Sequence, residues 1–181
     1  MTNPESGWQF EALLIGGRSG VGKSTVAREV SARLVASAVA HCVVEGDNLA
    51  EVHPAPPGDP SRSGLTAVNL TAIWRNNAAA GYRRLVYTNT VSVLDSRWVI
   101  DALGPSTRLI RVLLTATDPT VAERLGQRER GSELEIHLER SARAAARLDA
   151  EAEDDVVRIP TDGRTVRDIA ADVAFSTGWL D

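Results

Sequence analysis

The ten residues from Gly16 to Thr25, GGRSGVGKST, constrain this chain more than any other stretch. Gly17, Gly22, Lys23 and Ser24 fit the spacing G-x-x-x-x-G-K-S/T; an apolar run, EALLIGG, leads in, and Val26, Val30, Leu34 and Ala38 follow at helical spacing. A strand must therefore turn through glycines directly into a helix. Such a turn points successive backbone N–H groups inward, and these donors join the positive end of the helix in holding phosphate oxygens. The residues expected to hold the phosphate chain of a nucleotide are Gly17, Arg18, Ser19, Gly20, Val21, Gly22, Lys23, Ser24 and Thr25, with the Ser24 hydroxyl offered to magnesium. Lys23 is the only lysine in the chain. Inside a tight loop a compact ammonium on a slim stem fits where a wide guanidinium would collide with backbone, and Arg18 is expected to point out of the cradle.

Beyond this loop the chain alternates strand and helix signals. HCVVEGD, RRLVYTN, RLIRVLLTAT and DVVRIPT read as strands. Between them, LTAVNLTAIWRNNAAAGY reads as a helix ending near Gly81, and VSVLDSRWVIDALG as a helix stopped by Gly104 and Pro105. Asp118 is expected to cap the next helix with Pro119 in its first turn; SELEIHLERSARAAARLDAEA makes another, and TVRD at 165–168 opens the last. This alternation demands a parallel sheet covered on both faces, an α/β fold. NLAEVHPAPPGDPSRSG, rich in proline and glycine, reads as a long irregular loop of the kind that carries function. No linker divides the chain, so a single domain over 1–181 is expected.

Composition narrows the partners. A net charge of -4 argues against a surface for polyanions, so nucleic acid is not expected. No run of about eighteen apolar residues occurs, and MTNPESGWQF has neither a basic nor an apolar segment; no membrane span or signal peptide is expected, and the cytoplasm is the default compartment. Cys42, the one cysteine, reads as a small buried hydrophobe.

A second cluster of candidates lies in VEGDN, where Glu45 and Asp47 stand at the carboxyl end of the second strand, the edge at which open parallel sheets bind ligands. A carboxylate there can take a proton from a substrate hydroxyl or hold magnesium through water, and strand alternation would point both side chains the same way. Asp47 is favoured as base, metal partner and acceptor contact; the plain alternative is a turn cap. Thr88 and Asn89 end the third strand at the same edge, and His53 lies in the long loop, so these are candidate acceptor contacts set against ordinary turn and surface roles. Trp74 and Tyr82, on or after the helix that follows the long loop, either line an acceptor pocket or, the favoured reading, pack.

Together these motifs resemble the P-loop small-molecule kinases, the group of shikimate, gluconate and adenylylsulfate kinases and chloramphenicol phosphotransferase. GGRSGVGKST is similar to their Walker A loop, EGDN to the DGDN of adenylylsulfate kinases, GDNLAEVHP to the DGDxLHP of gluconate kinases, and DPTVAERLGQRERG stands where they carry a lid. The resemblance implies a three-layer P-loop NTPase fold with a five-stranded parallel sheet ordered 2-3-1-4-5, flanked by helices, and a lid at about 124–136. It implies ATP and Mg2+ as cofactors and transfer of the γ-phosphoryl group to a hydroxyl or phosphate of a small molecule, by a monomer or homodimer. Lys23 would bridge the β- and γ-phosphates and Asp47 would hold the acceptor. Arg124 and Arg128, four apart on one helix face, would stabilise charge on the transferred group, with Arg130 nearby. Thr161, Asp162 and Gly163, in PTDGR, fall where these kinases hold the adenine ring. Two departures stand out: Glu45 replaces the first Asp of DGD, and YTNTVS ends the third strand without a Walker B aspartate. The alternative is a regulatory ATP- or GTP-binding NTPase that switches a protein partner; the N-K-x-D base motif of GTPases is impossible with one lysine.

Overall fold

The computed structural model describes residues 7–127 and 132–180. In chain order its elements are β1 (Phe10–Gly16), α1 (Lys23–Ala36), β2 (Cys42–Glu45), a 3-10 turn (Gly46–Asn48), α2 (Ser63–Ala79), β3 (Arg84–Thr88), α3 (Arg97–Leu103), β4 (Thr107–Thr115), α4 (Asp118–Gly126), α5 (Ser132–Glu151), β5 (Val157–Pro160) and α6 (Val166–Thr177). The strands form one five-stranded sheet in the order β2-β3-β1-β4-β5, and every pairing is parallel.

β1 is the central strand, and its sequence explains why. From Ala12 to Gly16 every residue is buried, as a strand covered on both faces requires. Leu13 and Ile15 face one layer, where Val26, Val30 and Leu34 of α1 meet Ile169 and Val173 of α6. Ala12 and Leu14 face the other, against Leu70 and Trp74 of α2, Val99 and Leu103 of α3 and Leu148 of α5. Each large apolar side chain removed from water there contributes about 1.5–3 kcal/mol before entropy is counted. Trp74 packs edge-on against Phe10, centroids 5.1 Å apart, and its indole N–H donates to the Leu103 carbonyl at 3.1 Å. It belongs to the core and not to a ligand pocket. The α6 start behaves as its sequence suggests, the Thr165 hydroxyl accepting from the Asp168 N–H at 3.2 Å.

Four local expectations are corrected. Residues 91–95 form turns, and the helix begins only at Arg97. Val93 is buried there without a helix: it packs over Gly16, where an added Cβ would lie 2.8 Å from both valine methyls. Thr117, not Asp118, is the N-cap of α4, with no side-chain cap bond, and the Asp118 carboxylate pairs with Arg18 instead of capping. α1 ends at Ala36, and Ala38, at φ 55, lies beyond its stripe. Cys42 is half-buried, which pushes its thiol up to about 11.

Parallel pairing brings all five strand ends to one edge: Ile15 lies beside Thr88, Thr88 beside Glu45, Gly16 beside Leu113, and Thr115 beside Pro160. Every described site candidate is carried by, or just beyond, that edge.

Candidate active site

The loop after β1 is built by exclusion of side chains. Gly17 has φ 141, and a Cβ there would meet the Leu114 carbonyl oxygen at 2.7 Å. Its N–H donates to the Thr90 carbonyl at 3.1 Å, which ties the loop to the end of β3. Gly22 caps α1 at φ 102 without a side-chain hydrogen bond, so the first-turn donors of α1 face the loop with their partial positive charge. Lys23 is buried, and its ammonium donates to the carbonyls of Gly17 at 2.8 Å and Arg18 at 3.3 Å. The lysine thus spans the loop from within. Arg18 leaves the cradle as expected but does not reach solvent: its guanidinium is buried between α4 and α5, bonded to Ser141 and paired with Asp118. Only its backbone belongs to the phosphate loop.

The carboxylate beside Ser24 is Glu45. The Ser24 hydroxyl donates to Glu45 Oε2 at 2.8 Å, and Arg28 of α1 donates to Oε1 at 3.2 Å. Asp47, expected to share magnesium with Ser24, is not the carboxylate that meets the Ser24 hydroxyl in this structure. β2 ends at Glu45 and the chain enters a 3-10 turn, so the two-residue alternation that would have aligned the two carboxylates stops between them. Asp47 turns instead to Asn89, whose side-chain amide donates to its Oδ1 at 3.0 Å. Asn89 is itself held, its carbonyl oxygen accepting the Val91 N–H at 3.0 Å.

Asp47 and Asn89 line a polar cavity of about 420 Å³ with Glu51, Val52, Ser61, Arg62 and Thr66. Arg62, unread in the sequence because nothing marks it within the proline-rich loop, sits at φ 59 and donates through Nε to the Val52 carbonyl at 3.2 Å. It is the cation of the cavity. Thr88 is buried at the end of β3 and His53 is exposed; neither lines this cavity.

On the other side of the loop, Gly20, Val21, Gly22 and Thr25 wall a second cavity of about 260 Å³ with Arg124, Gln127, Arg164, Val166 and Ile169. Arg124 donates to the Val21 carbonyl at 3.2 Å and to Thr161, reaching its hydroxyl at 3.0 Å and its carbonyl at 3.1 Å. These bonds place Arg124 in the wall of this cavity and not in the one lined by Asp47 and Asn89. Arg128 and Arg130 lie outside the described residues. Of PTDGR, Thr161 is buried against Arg124. Asp162 holds the start of α4, accepting from the Thr117 hydroxyl at 2.7 Å and its N–H at 3.0 Å. The Thr120 and Thr117 hydroxyls and the Thr117 N–H draw its pKa down to about 2. None of Thr161, Asp162 and Gly163 lines the cavity, whereas Gln127, Arg164 and Val166 do.

Known proteins agree with this architecture. A family model described as an AAA domain matches residues 13–157. No curated protein matches the chain in sequence at a significant level. Among solved structures, a tunicamycin resistance protein of Deinococcus radiodurans is 21% identical, with a TM-score of 0.62 over 95% of this chain and 97% of its own. A gluconokinase of Sinorhizobium meliloti is 18% identical, with a TM-score of 0.60 over 94% and 93%. A Mycobacterium tuberculosis APS kinase, in complex with AMPPNP and APS, is 18% identical, with a TM-score of 0.50 over 93% and 97%. The fold is that of the P-loop kinases.

Proposed function

The chain belongs to the AAA domain family, and from that premise we propose that it is an ATP-dependent phosphotransferase, moving the γ-phosphoryl group of ATP to a hydroxyl or phosphate of a small molecule. One observation carries the reading: adjacent residues serve two compartments. Thr90 accepts the Gly17 N–H of the phosphate loop, and Asn89 donates to Asp47 in the neighbouring polar cavity. A nucleotide held by the loop and an acceptor held beside Asp47 would share that wall, and bringing two reactants into one frame is most of what phosphoryl transfer asks of a protein.

In this reading the base enters the cavity walled by Arg124, Gln127, Arg164 and Val166. The phosphate chain lies along the loop from Gly17 to Thr25, and Lys23 turns from its carbonyl partners to the β- and γ-phosphates. The hydroxyl of Ser24 and the carboxylate of Glu45, 2.8 Å apart, are hard oxygen donors of the kind that suit Mg2+. Bound there, the ion would neutralise charge on the β- and γ-oxygens. For a hydroxyl acceptor, Asp47 takes the proton, the acceptor oxygen bonds to the γ-phosphorus, and the bond from that phosphorus to the bridging oxygen breaks to release ADP. Arg62 gives the acceptor cavity an anion contact. The protein works in the cytoplasm as a monomer or homodimer, without nucleic acid or membrane; among the described residues no helix is long and apolar enough to cross one.

Lys23→Ala tests the reading. It abolishes turnover and greatly weakens ATP binding by calorimetry; unchanged affinity overturns the assignment. A panel of sugars, nucleosides, nucleotides and antibiotics, scored by ATP consumption, identifies the acceptor. ATP hydrolysis that no acceptor stimulates favours a regulatory switch instead.

A further inference from the structure

The carbonyls of the phosphate loop find partners in the elements around it, and these partners fix the shape of the loop. The Val21 carbonyl has Arg124 of α4. The Ser19 carbonyl has Ser141, a buried residue of α5 lying 122 positions away, whose hydroxyl donates to it at 2.9 Å. The same Oγ accepts from Arg18 Nε at 2.8 Å. Its single proton is therefore directed at Ser19 by a donor it must accept from. Arg18 is fixed in turn by its ion pair with Asp118 in the first turn of α4. Two successive loop residues, one through its side chain and one through its backbone, thus converge on one hydroxyl of α5, while the Arg18 carbonyl accepts from Lys23.

We propose that Ser141 is a positioning residue for the phosphate loop: through Arg18 and the Ser19 carbonyl it holds the loop donors in the geometry that grips the phosphate chain. A serine that merely fills space between α5 and the sheet would affect stability alike with any ligand. A serine that shapes the loop affects only ligands that use it. This inference rests on the nucleotide reading above and concerns its phosphate half alone.

The experiment is calorimetric titration of wild type and Ser141→Ala with ATP and with adenosine, alongside melting of the unliganded proteins. Loss of one hydrogen-bonded hydroxyl is expected to weaken ATP about three- to tenfold while adenosine binding stays within about twofold. Arg18→Lys, which keeps a cation for Asp118 but loses the Nε donor, is expected to shift ATP in the same sense and serves if Ser141→Ala does not fold. Wild-type affinity for ATP in the variant, or an equal loss for ATP and adenosine, overturns the positioning role and leaves the nucleotide site standing. A wild-type protein that binds neither ligand overturns both.

Discussion

Gly46 lies between the two carboxylates of the site, and replacing it with alanine offers a quantitative test of how the site is held. A Cβ at this position would stand 2.1 Å from the Tyr87 hydroxyl oxygen, 2.4 Å from its Cζ and 2.8 Å from the Thr88 carbonyl oxygen. The tyrosine is at the far end of a side chain but has no room to swing, being fully buried and packed edge-on against Trp98 with centroids 5.9 Å apart. The carbonyl belongs to β3. The turn from Gly46 to Asn48 must therefore move, carrying Glu45 and Asp47 with it, at a cost of about 1–3 kcal/mol typical of overpacking. The hydroxyl itself has no hydrogen-bond partner among the described residues, and burial, with the charge of Asp47 adding to it, pushes its pKa up. Tyr87→Phe removes an unsatisfied polar atom and keeps the ring, so it is expected to stabilise by about 1 kcal/mol.

The two changes share one contact, so they are not additive. In the Tyr87→Phe background the closest clash is gone while Cζ and the Thr88 carbonyl remain, and Gly46→Ala is expected to cost about 1 kcal/mol less than in wild type. Urea unfolding of the four proteins measures the cycle, and melting offers a check at about 2–4 °C per kcal/mol for a chain of this size. Gly46→Ala as stable as wild type refutes the reasoning. Tyr87→Phe less stable than wild type refutes it too, by revealing a partner for the hydroxyl.

Two further outcomes follow from the site. Glu45→Gln is expected to remove about tenfold of the gain in ATP affinity that Mg2+ provides, because it weakens the anionic partner of Ser24, while Asp47→Asn keeps that gain; titrations with and without Mg2+ decide, and equal losses in the two variants defeat the assignment of Glu45. Asp162 has a folded pKa of about 2 against an ordinary 3.8, so its contribution is fully present above the ordinary value and is lost as pH falls from there toward 2. The melting temperature of Asp162→Asn should lie below that of wild type at pH 6, with the gap closing by about pH 2; a gap that persists at low pH removes the carboxylate from the account.

The parts of this molecule legible in its sequence are those decided locally. β1 announces itself because a strand covered on both faces has no room for a polar residue between Ala12 and Gly16. The phosphate loop is legible because Gly17 and Gly22 hold backbone angles that side chains rarely adopt, and the start of α6 because Thr165 and Asp168 satisfy one another across one turn.

Where the reading failed, a side chain had a better partner far along the chain. Asp118 has every local reason to cap α4, yet its carboxylate pairs with Arg18, a hundred residues earlier, and α4 starts from Thr117 without a side-chain cap bond. Val93 and Leu94 carry a helical rhythm, yet Val93 is buried from a turn, in the core with Leu14 and Val99 and over the bare backbone of Gly16. Arg124 matches a lid arginine in spacing, yet Thr161 and the Val21 carbonyl hold it in the wall of the cavity beside Gly20 and Gly22. Glu45 and Asp47 are two residues apart and would have faced alike in a strand, but the strand ends between them, and they part, Glu45 to the Ser24 hydroxyl and Asp47 to the Asn89 amide. That division gives the site its chemical sense. Two carboxylates facing one point would repel each other and compete for one partner; with Glu45 held by Ser24 and Arg28 and Asp47 by Asn89, each has donors of its own.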